Sequence, residues 1–137
     1  ESGQMLLRLT GHEKAIRAVK FSSDDRLIAT AGEDALIKVW DATDGRLLQT
    51  LKGHADQVRC LAWTPDGARL VSGSLDRTIR FWNVALGMEV LALKEHSDAV
   101  SALDFSSDGS LLFSASWDGT VRLWKAATEK EIKVRLH

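Results

Sequence analysis

Histidine, hydroxyl and aspartate side chains recur together in this chain, and a serine hydrolase uses the same combination. His54, Ser72 and Asp76 form one such set. Hydrolysis would need one exposed hydroxyl nucleophile, activated by the imidazole and placed beside an oxyanion hole. The set occurs three times at one spacing, and three equal active sites in 137 residues would be implausible. We therefore predict that these residues are structural and that the protein is not an enzyme.

The sets belong to an internal repeat with a period of 42 residues and no insertions. Four residue classes recur in register: His12, His54 and His96; Thr30, Ser72 and Ser114; Asp34, Asp76 and Asp118; and Trp40, Trp82 and Trp124. A fixed period of this length is the signature of a repeat architecture.

Each repeat has the pattern of four short strands separated by polar turns. The strands are expected at 16–21, 27–31, 36–40 and 47–51, at 58–63, 69–73, 78–82 and 89–93, and at 100–105, 110–115, 120–124 and 132–136. Four strands in this length is the size of one propeller blade. The sequence therefore predicts an all-β fold of three four-stranded antiparallel blades, with repeats at about 11–52, 53–94 and 95–136. An apolar run at 5–9 precedes them and is expected to form one extra outer strand.

The first strand of each repeat changes phase partway along. In the second repeat, apolar residues lie at Val58 and Cys60 and then at Leu61 and Trp63. The same change at the same place in all three repeats predicts a β-bulge. Burial of both sheet faces is the alternative explanation, and blades packed between neighbours would also show it.

These motifs resemble those of the WD-repeat family. Gly11-His12, Gly53-His54 and Trp40-Asp41 match its paired signatures, and the segment from Ser72 to Asp76 resembles its second strand and turn. The resemblance covers nearly the whole chain, with departures such as Glu95-His96 and Trp82-Asn83. It implies a β-propeller in which the His, Thr or Ser, Asp and Trp of each repeat form a buried hydrogen-bond chain.

The resemblance also implies a partner-binding face. Partners of this family commonly bind the top face, near the central channel. The matching positions here are Arg17, Glu33, Gln57, Arg59, Leu75, Ser101 and Trp117. Arginine and tryptophan are enriched at interface hot spots, so a peptide with acidic and apolar side chains is the expected ligand. Ordinary surface residues, or packing between blades, are the alternative.

Composition argues against several other functions. The 18 basic and 19 acidic residues nearly cancel, which favours neither a nucleic-acid partner nor a membrane surface. The histidines are too far apart for a usual zinc site, phosphate-binding glycine loops are absent, and no cofactor is expected. A single cysteine allows no internal disulfide and favours a reducing compartment, the cytoplasm or nucleus.

Three blades fall short of the 4–8 that typically close a propeller. An open arc would expose an apolar face at each end, and such patches promote association. Two explanations follow: the missing blades come from elsewhere, or identical chains assemble, with two giving six blades and three giving nine. A head-to-tail dimer is the favoured assembly. The sequence thus predicts a protein-interaction scaffold, with a self-assembling ring as the alternative.

Overall fold

The computed structural model describes residues 3–125, which form eleven strands. They are β1 (Ile16–Phe21), β2 (Leu27–Gly32), β3 (Ile37–Asp41), β4 (Leu47–Leu51), β5 (Val58–Trp63), β6 (Arg69–Ser74), β7 (Ile79–Asn83), β8 (Met88–Leu93), β9 (Val100–Phe105), β10 (Leu111–Ser116) and β11 (Val121–Lys125). In this part of the chain, no helix is long and apolar enough to cross a membrane.

Neighbouring strands pair antiparallel into three sheets, each within one predicted repeat. Blade 1 has the order β1-β2-β3-β4, blade 2 the order β5-β6-β7-β8, and blade 3 the order β9-β10-β11. The prediction of an all-β, open arc of antiparallel blades is confirmed. The fourth strand predicted for blade 3, at 132–136, lies outside the described residues.

A β-bulge interrupts the first strand of every blade, as the change of phase predicted. In blade 2, Val58 is opposite Ser74 while Cys60 is opposite Gly73, so one extra residue lies on β5. The bulge sends Val58 and Leu61 to one face of the sheet and Cys60 to the other. Matching register shifts occur in blades 1 and 3.

The two faces of blade 2 are buried in two separate cores, which we call seams. The seam with blade 1 contains Ala29, Ala31, Ile37, Val39, Leu51, Val58, Leu61, Trp63, Leu70, Trp82 and Val84. The seam with blade 3 contains Cys60, Val71, Ile79, Phe81, Val100 and Leu112. Hydrogen bonds cross the first seam as well: Trp63 Nε1 donates to the Lys20 carbonyl at 3.0 Å. Both explanations of the phase change therefore hold, because the bulge and two-sided burial are both present.

The structure differs from the sequence expectation at residues 5–9, which form no strand. Met5 and Leu6 are exposed, while Leu7 and Leu9 lie beside Gly45 in the β3–β4 turn. An isolated strand leaves its backbone groups without ladder partners. An outer strand would pair with the third strand of a preceding blade, and the described residues include no such blade.

Candidate functional site

The polar repeat residues of blade 2 lie in one hydrogen-bonded chain. His54 Nδ1 is 2.8 Å from Asp76 Oδ2, and His54 Nε2 is 2.6 Å from Ser72 Oγ. Trp82 Nε1 donates to the same Ser72 oxygen at 2.8 Å. With the Nδ1–H tautomer, the imidazole donates to Asp76 and accepts from the Ser72 hydroxyl, so each group has a partner.

Blades 1 and 3 repeat this geometry within 0.1 Å. In blade 1, His12 lies 2.8 Å from Asp34 and 2.7 Å from Thr30, whose hydroxyl accepts from Trp40 at 2.9 Å. In blade 3, the corresponding distances are 2.9, 2.7 and 2.8 Å, for His96–Asp118, His96–Ser114 and Trp124–Ser114. We call each such set a tetrad.

Burial is incompatible with a hydrolytic role for the tetrads. The Ser72 side chain is fully buried, and Thr30 and Ser114 are nearly so. A serine nucleophile must reach a substrate carbonyl beside an oxyanion hole. Each of these hydroxyls instead lies between an imidazole and an indole inside its own sheet. The tetrads are internal contacts of the blades.

In blades 2 and 3 the tetrad has a fifth member, a threonine, which was not predicted from the sequence. Thr78 Oγ1 donates to Asp76 Oδ1 at 2.6 Å, and Thr120 does the same to Asp118. Blade 1 has Leu36 at this position, which has no hydroxyl. The signal was a threonine recurring after one period in only two of the three repeats.

The aspartates of the tetrads are held in their charged form. Burial raises the pKa of Asp76, but hydrogen bonds from His54 and Thr78 outweigh it and hold that pKa well below its usual 3.8. The hydrogen bond from Thr120 is the largest influence lowering the pKa of Asp118. These carboxylates are acceptors at neutral pH and have no proton to donate.

The predicted top-face residues lie at one rim of the arc. This rim is formed by the starts of β1, β5 and β9 and by the turns 33–36, 75–78 and 117–120. At the opposite rim, Ser23 Oγ donates to the Pro65 carbonyl at 2.7 Å, and Pro65 also lies beside Gly109. The three blades are therefore in register, which brings the turns of the first rim side by side.

Within this rim, the structure joins the predicted residues mostly in pairs. Arg17 forms an ion pair with Glu33. The backbone of Leu75 donates to the Gln57 carbonyl at 2.9 Å. Ser101 Oγ donates to the Ala115 carbonyl at 3.3 Å, within blade 3, and contacts no other predicted site residue by hydrogen bond among residues 3–125.

Arg59 and Trp117 are in contact across the seam between blades 2 and 3, and within residues 3–125 no other pair of the predicted site residues makes a ring contact. The Cζ atom of Arg59, on blade 2, lies 5.5 Å from the ring centroid of Trp117, on blade 3. This distance is within the range of a cation–π interaction. Trp117 remains 56% exposed. The pair combines a positive charge with an open apolar surface.

Metal chemistry finds no support in the described residues. Across 3–125, no three or more His, Cys, Asp or Glu side chains are grouped so that they could hold a metal ion. Cys60 is buried, and burial raises the pKa of its thiol to about 12. A buried protonated thiol is a poor nucleophile and a poor ligand.

Comparison with known proteins gives consistent matches. The family model described as the fourth β-propeller of WDR90 matches residues 15–136. The crystal structure of the RRP9 WD40 repeats superposes with a TM-score of 0.82 at 32% identity, covering 85% of this chain and 37% of that one.

Curated relatives match over single stretches. Ribosome assembly protein 4 of Saccharomyces cerevisiae is 44% identical over 46 residues, which is 34% of this chain and 9% of that protein. Pre-mRNA-processing factor 19 homolog 2 of Arabidopsis thaliana is 46% identical over 39 residues, or 28% of this chain and 7% of that protein. The chain thus spans less than a tenth of the length of either relative.

Proposed function

The chain belongs to the WD-repeat β-propeller family, and we propose that it is a non-enzymatic scaffold that binds other proteins. WD-repeat proteins generally bind proteins, and the relatives named above are a ribosome assembly protein and a pre-mRNA-processing factor. The observation that carries the proposal is the location of the polar groups. The hydroxyls that are paired with a histidine are enclosed in the tetrads, whereas the exposed ring of Trp117 and the half-buried Arg59 lie at the rim.

The scaffold also needs further blades. Blade 1 exposes Ile16, Val19 and Phe21 on the face away from blade 2. Blade 3 exposes Phe113, Val121 and Leu123 on its outer face. We call these two surfaces the end faces. Contiguous apolar surface of this kind favours association, so we expect other blades to cover both.

Copies of this chain are one source of such blades, and a longer polypeptide is the other. Self-assembly is supported by the repeat positions: Ile16, Val19 and Phe21 correspond to Val58, Leu61 and Trp63, which are buried against blade 1. A head-to-tail contact between two copies would therefore repeat a packing that the chain already has. Two chains would give six blades and three would give nine.

Light scattering with size-exclusion chromatography tests this part of the proposal. Two or three times 15.1 kDa would support a ring of copies. Mixed oligomers would favour blades supplied by a longer polypeptide, and a stable monomer would contradict the need for closure. Val19→Glu should dissociate a ring, because it places a charge on an end face. Leu86→Glu is the matched control, since Leu86 is at least as exposed as Val19 but lies in the β7–β8 turn.

The partner site is expected at the rim, at Arg17, Glu33, Gln57, Arg59, Leu75, Ser101 and Trp117. Calorimetric titration tests this site by comparing the affinity of a copurifying protein for the unsubstituted chain with its affinity for the Trp117→Ala and Arg59→Glu variants. We expect each substitution to weaken binding at least tenfold, as for an interface hot spot. Binding that is unchanged in both variants would show that partners bind elsewhere.

We further propose that the protein works in the cytoplasm or nucleus. Its one cysteine is unpaired, and relatives are named for ribosome assembly and pre-mRNA processing. Imaging of a fluorescently tagged full-length protein tests this localisation, and secretion into the medium would contradict it.

A further inference from the structure

We propose that Arg59 and Trp117 form a receptor for a carboxylate side chain of an acidic peptide segment. The inference rests on the proposed scaffold function and specifies the chemistry of its ligand. It concerns one pair of residues at the seam between blades 2 and 3, not the whole rim.

The first argument is the contrast between two arginines that occupy the same position in successive repeats. Arg17 and Arg59 are each the second residue of the first strand in their blade, β1 and β5. Arg17 is paired with the carboxylate of Glu33, so its charge is compensated within blade 1. Arg59 has no ion pair or side-chain hydrogen bond to any of residues 3–125. Of the two, only Arg59 has no carboxylate partner among these residues.

The turn residues explain this difference. Glu33, Leu75 and Trp117 are equivalent in the three repeats. Blade 1 therefore supplies an acid at this turn, whereas blades 2 and 3 supply apolar side chains. Arg59 contacts the ring of Trp117, and a neutral ring leaves its charge uncompensated.

Contact with the ring also orients the guanidinium. A planar guanidinium beside an aromatic ring still has N–H donors that can bind a carboxylate bidentately. Restricting the side chain before binding lowers the entropy lost when the ligand binds. Trp117 then serves two purposes, because it restrains Arg59 and offers exposed ring surface to the ligand.

The apolar surroundings select the rest of the ligand. Trp117 is 56% exposed, and Leu75, which is half-buried, occupies the equivalent turn of blade 2. An apolar residue next to the acid can pack on this surface, because exposed tryptophan and arginine side chains commonly form the hot spots of interfaces. The geometry therefore fits an acidic residue flanked by an apolar one.

Nuclear magnetic resonance with the full 137-residue chain tests the proposal. The probe is the capped peptide acetyl-Glu-Leu-Glu-amide, and acetyl-Gln-Leu-Gln-amide is its neutral control. We expect saturable shifts of the Trp117 indole N–H and the Arg59 Nε–H with the acidic peptide, and none with the neutral one. Arg59→Gln should reduce affinity about tenfold or more, as for loss of a charge-assisted hydrogen bond. Arg26→Gln is the matched control and should change it less than twofold, because Arg26 is an exposed arginine of the β1–β2 turn, at the opposite rim.

Arg59→Lys separates a bidentate receptor from a simple positive charge. Lysine keeps the charge without the planar fork, so we expect most of the affinity to be lost. Full retention of affinity in Arg59→Lys, or equal losses in Arg26→Gln and Arg59→Gln, would overturn the proposal. Inorganic phosphate that binds as tightly as the acidic peptide would also overturn it, since the site would then recognise anions in general. The molar mass is an independent measurement, so failure here leaves ring closure and the scaffold function standing.

Discussion

The seams and the end faces are built from the same repeat positions, yet their environments are opposite. Leu61 on blade 2 is 1% exposed, whereas Val19, one period earlier on blade 1, is 55% exposed. On the other face, Phe81 is 5% exposed and Leu123, one period later, is 58% exposed. The repeat thus specifies a sheet with two apolar faces. Whether either face is buried depends on a neighbouring blade.

The tetrads behave differently from the apolar faces. Thr30 and Trp40 are buried although they belong to blade 1, which among residues 3–125 has a neighbouring blade on one side only. The three hydrogen bonds of this tetrad join Trp40 to Thr30, Thr30 to His12 and His12 to Asp34, and all lie within the blade or its leading loop. The tetrads therefore stabilise each blade from within, while the apolar seams, with a few hydrogen bonds such as that from Trp63 to Lys20, hold blades to one another.

The largest expected difference between seam and end face is in thiol reactivity. Cys60 lies in the seam with blade 3, and Ala102, its equivalent one period later, is exposed. Burial raises the pKa of Cys60 from 9.0 to about 12. The thiolate is the nucleophile. In dilute solution, where no second copy covers the end face, modification of Cys60 at pH 8 should therefore be on the order of a thousandfold slower than modification of Ala102→Cys in a Cys60→Ala background. An aromatic disulfide reagent measures both rates.

Two outcomes of this experiment are informative. Equal rates would mean that the seam opens freely in solution, which would contradict the close packing of Cys60 between blades 2 and 3. Protection of Ala102→Cys that increases with chain concentration would indicate that another copy covers the end face.

Stability should separate the two environments next. Leu61→Ala removes buried methyl groups from the first seam and should lower the free energy of unfolding by about 2–5 kcal/mol. Val19→Ala, at the equivalent position of the end face, should change it by less than about 0.5 kcal/mol in dilute solution, where no second copy covers that face. Urea denaturation monitored by tryptophan fluorescence gives both values. A large loss in Val19→Ala would show that the end face is covered in solution.

The tetrad of blade 1 offers a test inside a single sheet. Thr30→Val removes the hydroxyl and leaves His12 Nε2 and the Trp40 indole N–H unsatisfied. We expect a loss of about 1–3 kcal/mol by the same denaturation experiment, since unsatisfied buried groups retain their desolvation cost. A loss no larger than that of Val19→Ala would contradict the view that the tetrad stabilises the blade without a neighbour.

Much of this architecture could be predicted from sequence because the repeat supplies independent copies of each signal. The strand positions agree with expectation to within one residue at either end over β1–β11. The bulge was predicted because Val58, Cys60, Leu61 and Trp63 show a change of phase that recurs after one period. Averaging over three repeats makes local patterns unambiguous.

Other features depend on spatial relations that the repeat does not encode. The contact of Arg59 with Trp117, rather than with its own turn residue Leu75, depends on side-chain rotamers and on the distance between two blades. Residues 5–9 have the pattern of a strand, but pairing needs a partner strand that the described residues do not provide. The role of Thr78 was not predicted because only four residue classes recur in all three repeats. At the fifth position the first repeat has Leu36 in place of a threonine.

The smallest expected effect comes from giving blade 1 the threonine that blades 2 and 3 have at this fifth position. Leu36→Thr places a hydroxyl where Thr78 and Thr120 donate to their aspartates, so it should donate to Asp34 and stabilise the chain by up to about 1 kcal/mol at pH 7. The reverse change, Thr78→Val, should cost a similar amount and is the matched control.

The pH dependence of this gain identifies its cause. Burial raises the pKa of Asp34, but the hydrogen bond from His12 and others lower it below 3.8. A further donor at residue 36 should lower the folded-state pKa more, while the unfolded value stays the same. The gain is therefore present above pH 4 and is lost as the pH falls through the folded-state pKa. A gain that is accompanied by no further lowering of the Asp34 pKa would be due to the β-propensity of the threonine and not to the hydrogen bond.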